Sequence, residues 1–388
     1  MKQNIVRSHE RCVSLTNERL NDCLLRQLHV ALVYNVKNGS IDVETNEQVQ
    51  EVGADDTIQV LAPVKAKSTR DDTYLEWDCE ETIQAVKAAL EEQHNVTLIE
   101  ANEDAFQKLS AIQPDIVFNI AEGLRGPSRE AQVPAFLDFL GIPYTGSDPL
   151  TLGICLDKSR AKEILSYYRI PTAPFVVVSS LEELSTASAP LPAVVKPLYE
   201  GSSKGVLNSS IVRTKEELRR EVRRVLENYN EPALVEKFLS GREFTVALLG
   251  NGSSLRVFPV VEIRLDKLPP EANPIYSYEA KWMWDQTDHP INMYDCPARI
   301  DKALDMRIQE VCRQAYTALR VRDWCRIDVR LDESGEPNII ELNPLPGILP
   351  NPDDHSCFPM AARVAGLNYS LLLNSVLDAA LARHGMER

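Results

Sequence analysis

The sequence predicts an α/β (α+β) protein with an open, mostly parallel sheet in residues 28–145 and a ligand-bearing strand hairpin late in the chain. Three observations carry this. Short apolar runs alternate with amphipathic helical segments through the first third, the pattern of a parallel sheet covered by helices. Near the C-terminus, "RIDVRL" turns through Asp332-Glu333-Ser334-Gly335 into "PNIIELN", two apolar strands around a hairpin turn signal. The chain has 388 residues; at about 150 residues per domain that is two or three units.

Residues 1–27 are polar and aperiodic, an extension with a short helix around Ser14–Gln27. "HVALVY" at 29–34 is the first strand, and "TIQVLAP" at 57–63 reads as another. Asp78-Cys79-Glu80-Glu81 has capping-box spacing and opens a helix whose Ile83, Val86 and Leu90 share one face. "VTLIE" at 96–100, a helix at 103–111 and "DIVFNI" at 115–120 continue the alternation. Ser128 can cap a helix over "REAQVPAFLDFL". "GIPYTG" at 141–146 and "LDKSRAKEIL" at 156–165 mark the exit from this unit. Residues 180–192 read as a loop before the strand "AVVKPL". Thr214-Lys215-Glu216-Glu217 is a capping box for a charged helix. "ALVEKF" and "EFTVALLGN" are strands, and 271–298 is an active-site loop. A long helix covers about 301–320, and helices follow Ser356 and Tyr369. The expected units are an extension (1–27), an α/β domain (28–149), a central subdomain (150–240) and a C-terminal subdomain (241–388).

Composition narrows the function. Apolar content of 44% and charged content of 26% are those of an ordinary globular protein. A net charge of −15 argues against nucleic acid or an anionic membrane surface as partner. An anionic small molecule can still bind, because local lysines and backbone N–H groups decide that. No apolar run approaches bilayer length, and the N-terminus lacks the apolar stretch of a secretory signal. The eight cysteines are scattered without a C-x-x-C pair, which reads as reduced thiols in the cytoplasm. The six histidines are isolated, so no structural zinc site is expected.

Three constellations carry chemistry. Asp328, Glu341 and Asn343 are hard oxygen donors on the hairpin. Glu341 and Asn343, at i and i+2, share a face, and Asp328 reaches them from the paired strand. Magnesium is commonly held by one or two carboxylates together with nucleotide phosphates. A polar-faced surface hairpin would have the same residues. The second constellation is "VVKPLYEGSSKGV" at 194–206. There Lys196 supplies a point charge, and a Gly/Ser loop can present N–H groups to phosphate; a flexible turn after a strand reads the same way. The third, "LVEKFLSGREF" at 234–244, offers backbone for an adenine rim and Glu243 for ribose, or is a surface hairpin with a salt-bridged glutamate.

In order along the chain, these segments resemble the ATP-grasp superfamily, and within it the D-alanine–D-alanine ligases. The resemblance runs from about Pro114 to the C-terminus. It rests on "GIPYTGS", "LDKSRAK", "VVKPLYEGSSKGV", "VEKFLSGREFTVALLG", "YEAKW", "RIDV", "ELNPLPG" and "SCFPMAARVAGLNYSLLL". It implies an ATP-grasp fold, in which an open parallel-sheet domain precedes two subdomains that clamp ATP. Lys158 and Lys196 would contact the phosphates, and the loop of Glu200, Gly201, Ser202, Ser203 and Gly205 would close over them. Glu236, Lys237, Phe238 and Leu239 would form the adenine hinge, with Glu243 on ribose. Asp328, Glu341 and Asn343 would hold two Mg2+, with Mn2+ as a substitute. Arg326 would stabilise the transferring phosphoryl group; Lys281 and Ser356 would bind substrate carboxylate and phosphate. The implied reaction joins a small-molecule carboxylate to an amine through an acyl phosphate, in a cytoplasmic enzyme that is consistent with a homodimer.

The chain departs from that family on the first-substrate side. The family carries a Gly-rich turn with a Ser and a Glu after its first strand, and that Glu holds the first amino group. Here the first strand runs into "NVKNGSIDVETNEQVQEVGADD". The family's His-Gly is replaced by Glu122-Gly123, and Trp282 stands where a tyrosine follows the substrate lysine. Of the family's Glu–Ser–Tyr network only Ser202 has a counterpart in the sequence. The segment Glu122–Glu130 is the candidate for altered recognition, or else a solvated loop and helix start. The readings are a carboxylate–amine ligase with a changed first substrate, a genuine D-alanine–D-alanine ligase of peptidoglycan synthesis, and an inactive nucleotide-binding regulatory protein.

Overall fold

In the computed structural model, β1 (His29–Tyr34) is apolar on both faces, and Val30 to Val33 are fully buried. The structure describes residues 27–37, 76–186, 188–284, 291–354 and 356–386. The expected extension, its helix and the strand at 57–63 lie outside the described residues. β1 pairs in parallel with β2 (Asn95–Glu100) and β3 (Ile116–Asn119), in the order β2-β1-β3. Alternate side chains of β1 point to opposite faces. Val30 and Leu32 meet Ile83, Val86 and Leu90 of α1 (Glu80–Glu91). Ala31 and Val33 meet Ala105 and Leu109 of α2 (Ala105–Ile112), with Val133 and Leu137 of α3 (Gln132–Leu140). A sheet so covered is what the alternating pattern predicts.

Two capping expectations fail here. Cys79, not Asp78, occupies the N-cap of α1, and its side chain makes no cap hydrogen bond. Asp78 instead continues the sheet edge: its N–H donates to the Asn35 carbonyl, and its carbonyl accepts from Lys37. Ser128 caps nothing with its side chain; a short 3-10 turn, Arg129–Ala131, precedes α3.

Two helices follow, each capped by an aspartate. Asp148 accepts from Thr151 at the start of α4 (Pro149–Leu156), and Asp157 from Ser159 and Arg160 at the start of α5 (Lys158–Tyr167). The next sheet is antiparallel and contains β4 (Phe175–Val178), β5 (Ala193–Pro197), β6 (Ile211–Val212) and β7 (Ala233–Lys237), in the order β4-β7-β5-β6. The expected loop at 180–192 contains a helical turn and a half, α6 (Leu181–Thr186). The cause is a Ser-x-x-Glu box: Glu183 N–H donates to Ser180 Oγ, and the Glu183 carboxylate accepts from Ser179. The Thr214 box forms as expected, with Glu217 at N3, and starts α7 (Lys215–Tyr229). Val222 and Val225 of α7 pack on Val195 and Val235.

The third sheet contains β8 (Glu243–Leu249), β9 (Arg256–Val257), β10 (Val261–Ile263), β11 (Tyr294–Asp295), β12 (Trp324–Leu331) and β13 (Pro337–Asn343). Its order is β11-β10-β8-β12-β13, with β9 paired to β8. On one face, Phe244, Val246, Ile327 and Val329 pack on Ile308 and Cys312 of α8 (Lys302–Ala318) and on Ala161 and Leu165 of α5. Residues of α4 and α5 therefore share a core with this sheet. On the other face, Trp324 packs edge-on against Phe358 of α9 (Cys357–Val364) and against Phe118 of the first sheet. Leu372 and Leu377 of α10 (Tyr369–Arg383) join the same core as Val30 and Leu32. The N- and C-terminal regions are thus packed as one body. Asp323, fully buried, ties them further: it accepts from Gly146 N–H, Asn251 Nδ2 and Arg383 at 2.7–2.8 Å. No single helix among the described residues is long and apolar enough to cross a membrane; α9 and α10 pass such a test only as a bent pair, and their apolar faces belong to this core.

Candidate active site

The hairpin sets the floor of the site. Ile327 and Val329 point into the α8 core, so Arg326 and Asp328 point the other way. The register places Asp328 opposite Glu341 and Arg326 opposite Asn343, with an irregularity after Asp328. Thr245 of the neighbouring strand donates to Asp328 at 2.6 Å. Arg326 grips the same carboxylate with two N–H groups at 3.2 Å, and Asn343 Nδ2 donates to it at 3.2 Å. The three expected metal donors are therefore together on one face. Among the described residues no group of three or more His, Cys, Asp or Glu is placed to hold a metal ion. Two carboxylates and an amide fit a hard cation only when phosphate oxygens complete its shell, which suits magnesium on a nucleotide.

Three lysines approach from the other sheet and from α5. Lys158 Nζ lies 3.7 Å from Glu341 Oε2 and donates to the Glu200 carbonyl. Lys196 and Lys162 both clasp Glu236, at 2.6 and 2.9 Å. Burial would raise the Glu236 carboxyl, but Lys162 and Lys196 outweigh it and bring it down to about 2. Lys162 also donates to Thr172 Oγ1, which donates to the Ile339 carbonyl of β13. Lys162 is a residue the sequence reading missed. Nothing local marks it, because its partner lies on a distant strand.

The loop after β5 folds over this floor. Ser202 and Ser203 sit at positive φ, 50° and 61°, a conformation that costs a non-glycine residue about 1 kcal/mol or more. Ser203 Oγ donates to the Tyr276 carbonyl, and Trp282 Nε1 donates to the Ser202 carbonyl at 3.3 Å. The loop after β5 is thus tied to the π-helical turn Ala280–Trp284 that carries Lys281. Residues 285–290 of the expected active-site loop lie outside the described residues. Gly205 needs to be glycine: a Cβ there would meet Pro197 Cγ at 2.3 Å. Burial and the charge of Arg326 push Lys281 down to about 8.

These parts surround one cavity of about 600 Å3. It is lined by Lys158, Lys196, Glu200, Gly201, Ser202, Ser203, Glu236, Lys237, Phe238, Leu239, Glu243, Lys281, Arg326, Asp328, Glu341, Asn343 and Ser356. Of the expected site residues Gly205 alone is not in its wall. Some roles need refinement. The Glu236 side chain holds two lysines, and its backbone is paired on both sides. Phe238 N–H is spent on the Pro192 carbonyl, Glu243 pairs with Arg330 at 2.8 Å, and Lys237 pairs with Glu333 at the surface. Ser356 Oγ donates to the Gly347 carbonyl at 2.9 Å.

The cavity has a second end that the sequence only half revealed. The chain returns to β1 at Asp78, and Glu76 and Asp78 line the cavity there beside Glu122 and Glu130. A Cβ on Gly201 would come within 2.2 Å of Glu76 Oε1. A carboxylate therefore does reach the Gly201 loop beside the end of the first strand, although no Gly-Ser-Glu turn supplies it. Arg129 joins Glu76 at 2.6 Å to Glu200 at 3.4 Å, and Lys204 holds Glu200 at 3.0 Å. Burial raises Asp78 to about 7; burial, then the charge of Glu76, raises Glu130 to about 7; burial, then the charge of Glu130, raises Glu122 well above the usual range.

Comparison with known proteins follows the same lines. Residues 164–378 match the family described as D-ala D-ala ligase C-terminus. A D-alanine–D-alanine ligase of Saccharophagus degradans is 34% identical over 305 residues, covering 77% of this chain and 87% of that protein. Protein y4sG of Sinorhizobium fredii is 35% identical over 317 residues, 79% of this chain and 90% of its own. A crystal structure of the D-alanine–D-alanine ligase of Bacillus anthracis with ATP superposes with a TM-score of 0.63 at 22% identity, covering 92% of this chain and 99% of that one.

Proposed function

The chain belongs to the D-alanine–D-alanine ligase family and is an ATP-grasp carbon–nitrogen ligase, and we propose that its first substrate is a carboxylate other than D-alanine. The observation that carries this is the carboxylate-lined end of the cavity, where Asp78, Glu122 and Glu130 accompany Glu76. The family resemblance asks for a single glutamate there and a His-Gly where Glu122-Gly123 stands. We read the chain as units 28–149, 150–240 and 241–388 after an extension, acting on small molecules as a homodimer with no nucleic-acid or membrane partner.

The chemistry follows from the side chains. ATP is a co-substrate. Lys158 and Lys196 neutralise its phosphates, and the Glu200–Gly205 loop covers them. Asp328, Glu341 and Asn343 would hold Mg2+, two ions in our reading, which when bound supplies positive charge against the phosphoryl oxygens. The substrate carboxylate attacks the γ-phosphorus and ADP leaves, giving an acyl phosphate. An amine then attacks the acyl carbon and phosphate leaves, giving the amide. Arg326 and Lys281 face both steps, where negative charge grows on oxygen. The Trp282–Ser202 contact joins the two loops that would keep water from the acyl phosphate.

The second reading is genuine D-alanine–D-alanine ligation. It is favoured by Glu76, which stands beside the phosphate loop at the end of β1. ADP release with pools of D- and L-amino acids, β-amino acids and small amines separates the two. The expected result is substrate-dependent ADP release with D-alanine among the poorer substrates. D-alanine as the best substrate in both positions would give the second reading, and no substrate-dependent release would leave a nucleotide-binding protein.

A further inference from the structure

Charge at the β1 end of the cavity does not balance. Of its four carboxylates, Glu76 has Arg129 at 2.6 Å. Asp78 has the nearby charge of Lys37, whose ammonium also lies 5.7 Å from the Trp282 ring. Arg129 is committed elsewhere, to Glu76, to Glu200 and to the Tyr199 carbonyl. The Glu122 and Glu130 side chains have no hydrogen bond or ion pair among the described residues; the charge of Arg129 reaches both, and that of Lys158 reaches Glu130, only through space. Both line the cavity and are half-buried. Each keeps a little side-chain exposure, as a group opening into a cavity must.

Ionised carboxylates in the interior are costly without a counter-charge, and two together are costlier. Burial raises both carboxyls, and neighbouring carboxylates add to it: Glu130 and Glu76 at Glu122, Glu76 and Glu341 at Glu130. An arrangement of this kind is relieved when a ligand brings the missing cation. A hard divalent ion takes about six or more oxygen ligands, more than this pair of carboxylates offers. An alkylammonium brings one charge and three donors directed to different acceptors, which suits two acceptor-only groups.

We propose that Glu122 and Glu130 hold a second cationic nitrogen of the first substrate, which is therefore a diamino carboxylate rather than a neutral amino acid. The inference rests on the ligase reading and deepens it. Glu76 and Asp78, at the end of β1, serve the α-ammonium, and the Glu122–Glu130 pair serves the side-chain ammonium or guanidinium.

The test compares ornithine, lysine, arginine and 2,3-diaminopropionate with norvaline, norleucine and alanine, in both stereochemical series, by ADP release. The wild-type protein favours a diamino acid over its neutral isostere by at least roughly 30-fold in kcat/KM, as expected for a desolvated charge pair. In Glu122→Gln and Glu130→Gln that preference falls by roughly the same factor, while KM for ATP is retained. Thermal unfolding controls for folding, and the variants hold or gain stability because a carboxyl without a partner is replaced by a neutral amide of the same size. Equal use of neutral and diamino substrates by the wild type would overturn the proposal, as would loss of both activities in parallel. Direct calorimetric titration with lysine and norleucine decides the case if nothing turns over. Lysine binding weakened by Glu122→Gln then upholds the subsite while the ligase reading fails; equal binding of lysine and norleucine overturns the subsite.

Discussion

Replacing Lys162 by methionine isolates one buried charge without opening a cavity. Lys162 and Lys196 together bring Glu236 from 4.5 to about 2. At about 1.4 kcal/mol per pH unit that net lowering corresponds to about 3.5 kcal/mol, the least the two lysines together supply, because burial opposes them. Losing one therefore costs about 1.5–2 kcal/mol, and up to about 3–5 kcal/mol where the stranded charge is fully desolvated. The sign with pH is fixed. A depressed carboxyl stabilises the fold fully above its unfolded value of 4.5 and loses that contribution as pH falls toward about 2. The stability gap between wild type and Lys162→Met should be widest above pH 4.5 and narrow below it. Lys196, left as the only cation on Glu236, is drawn away from the nucleotide, so KM for ATP should rise about 10-fold, near 1.4 kcal/mol. Urea unfolding across pH, followed by tryptophan fluorescence, reads the first effect; ADP release at varied ATP reads the second. Stability within about 0.5 kcal/mol of wild type together with an unchanged KM would refute the idea that Lys162 supports the phosphate site through Glu236.

Glu341→Gln should lower turnover by on the order of 100-fold or more while the unfolding midpoint stays near wild type; near-normal ADP release would remove the hairpin triad as the metal site. Hydrogen exchange should show residues 199–206 and 275–284 slowed by ATP with substrate, because the Trp282–Ser202 and Ser203–Tyr276 contacts already join the two segments; unchanged exchange in both would count against closure. Asp323→Ala should destabilise the chain by about 3 kcal/mol or more, since it strands Arg383 and frees Gly146 and Asn251; a loss below about 1 kcal/mol would show that the network contributes only weakly.

Much of this molecule is written locally. The strand–helix alternation of 28–145 is legible because β1 and β3 are short buried apolar runs and the helices between them carry one apolar stripe each. The carboxylate-bearing hairpin is legible because period-two spacing and the Asp332–Gly335 turn fix which side chains face together. The Thr214 box was readable for the same reason, whereas the Ser180 box was outweighed by the surrounding small residues and prolines. What was not legible depends on contacts between distant segments. Glu76 and Asp78 become site residues only because the chain comes back to Val36. Lys162 matters only because β7 places Glu236 against it. Glu122 and Glu130 were visible as a departure from the family pattern, but that they face a cavity without partners is a property of packing.

The central claim is amide formation through an acyl phosphate, and isotope transfer tests it most directly. The substrate found by ADP release is prepared with heavy oxygen in its carboxylate and turned over with unlabelled ATP and the amine partner. If the carboxylate attacks the γ-phosphorus and the acyl phosphate is then opened by the amine, each phosphate released carries one heavy oxygen and the amide retains the other. Unlabelled phosphate, with both heavy oxygens still on the carboxylate, would mean that ATP is merely hydrolysed and that the site does not activate its substrate.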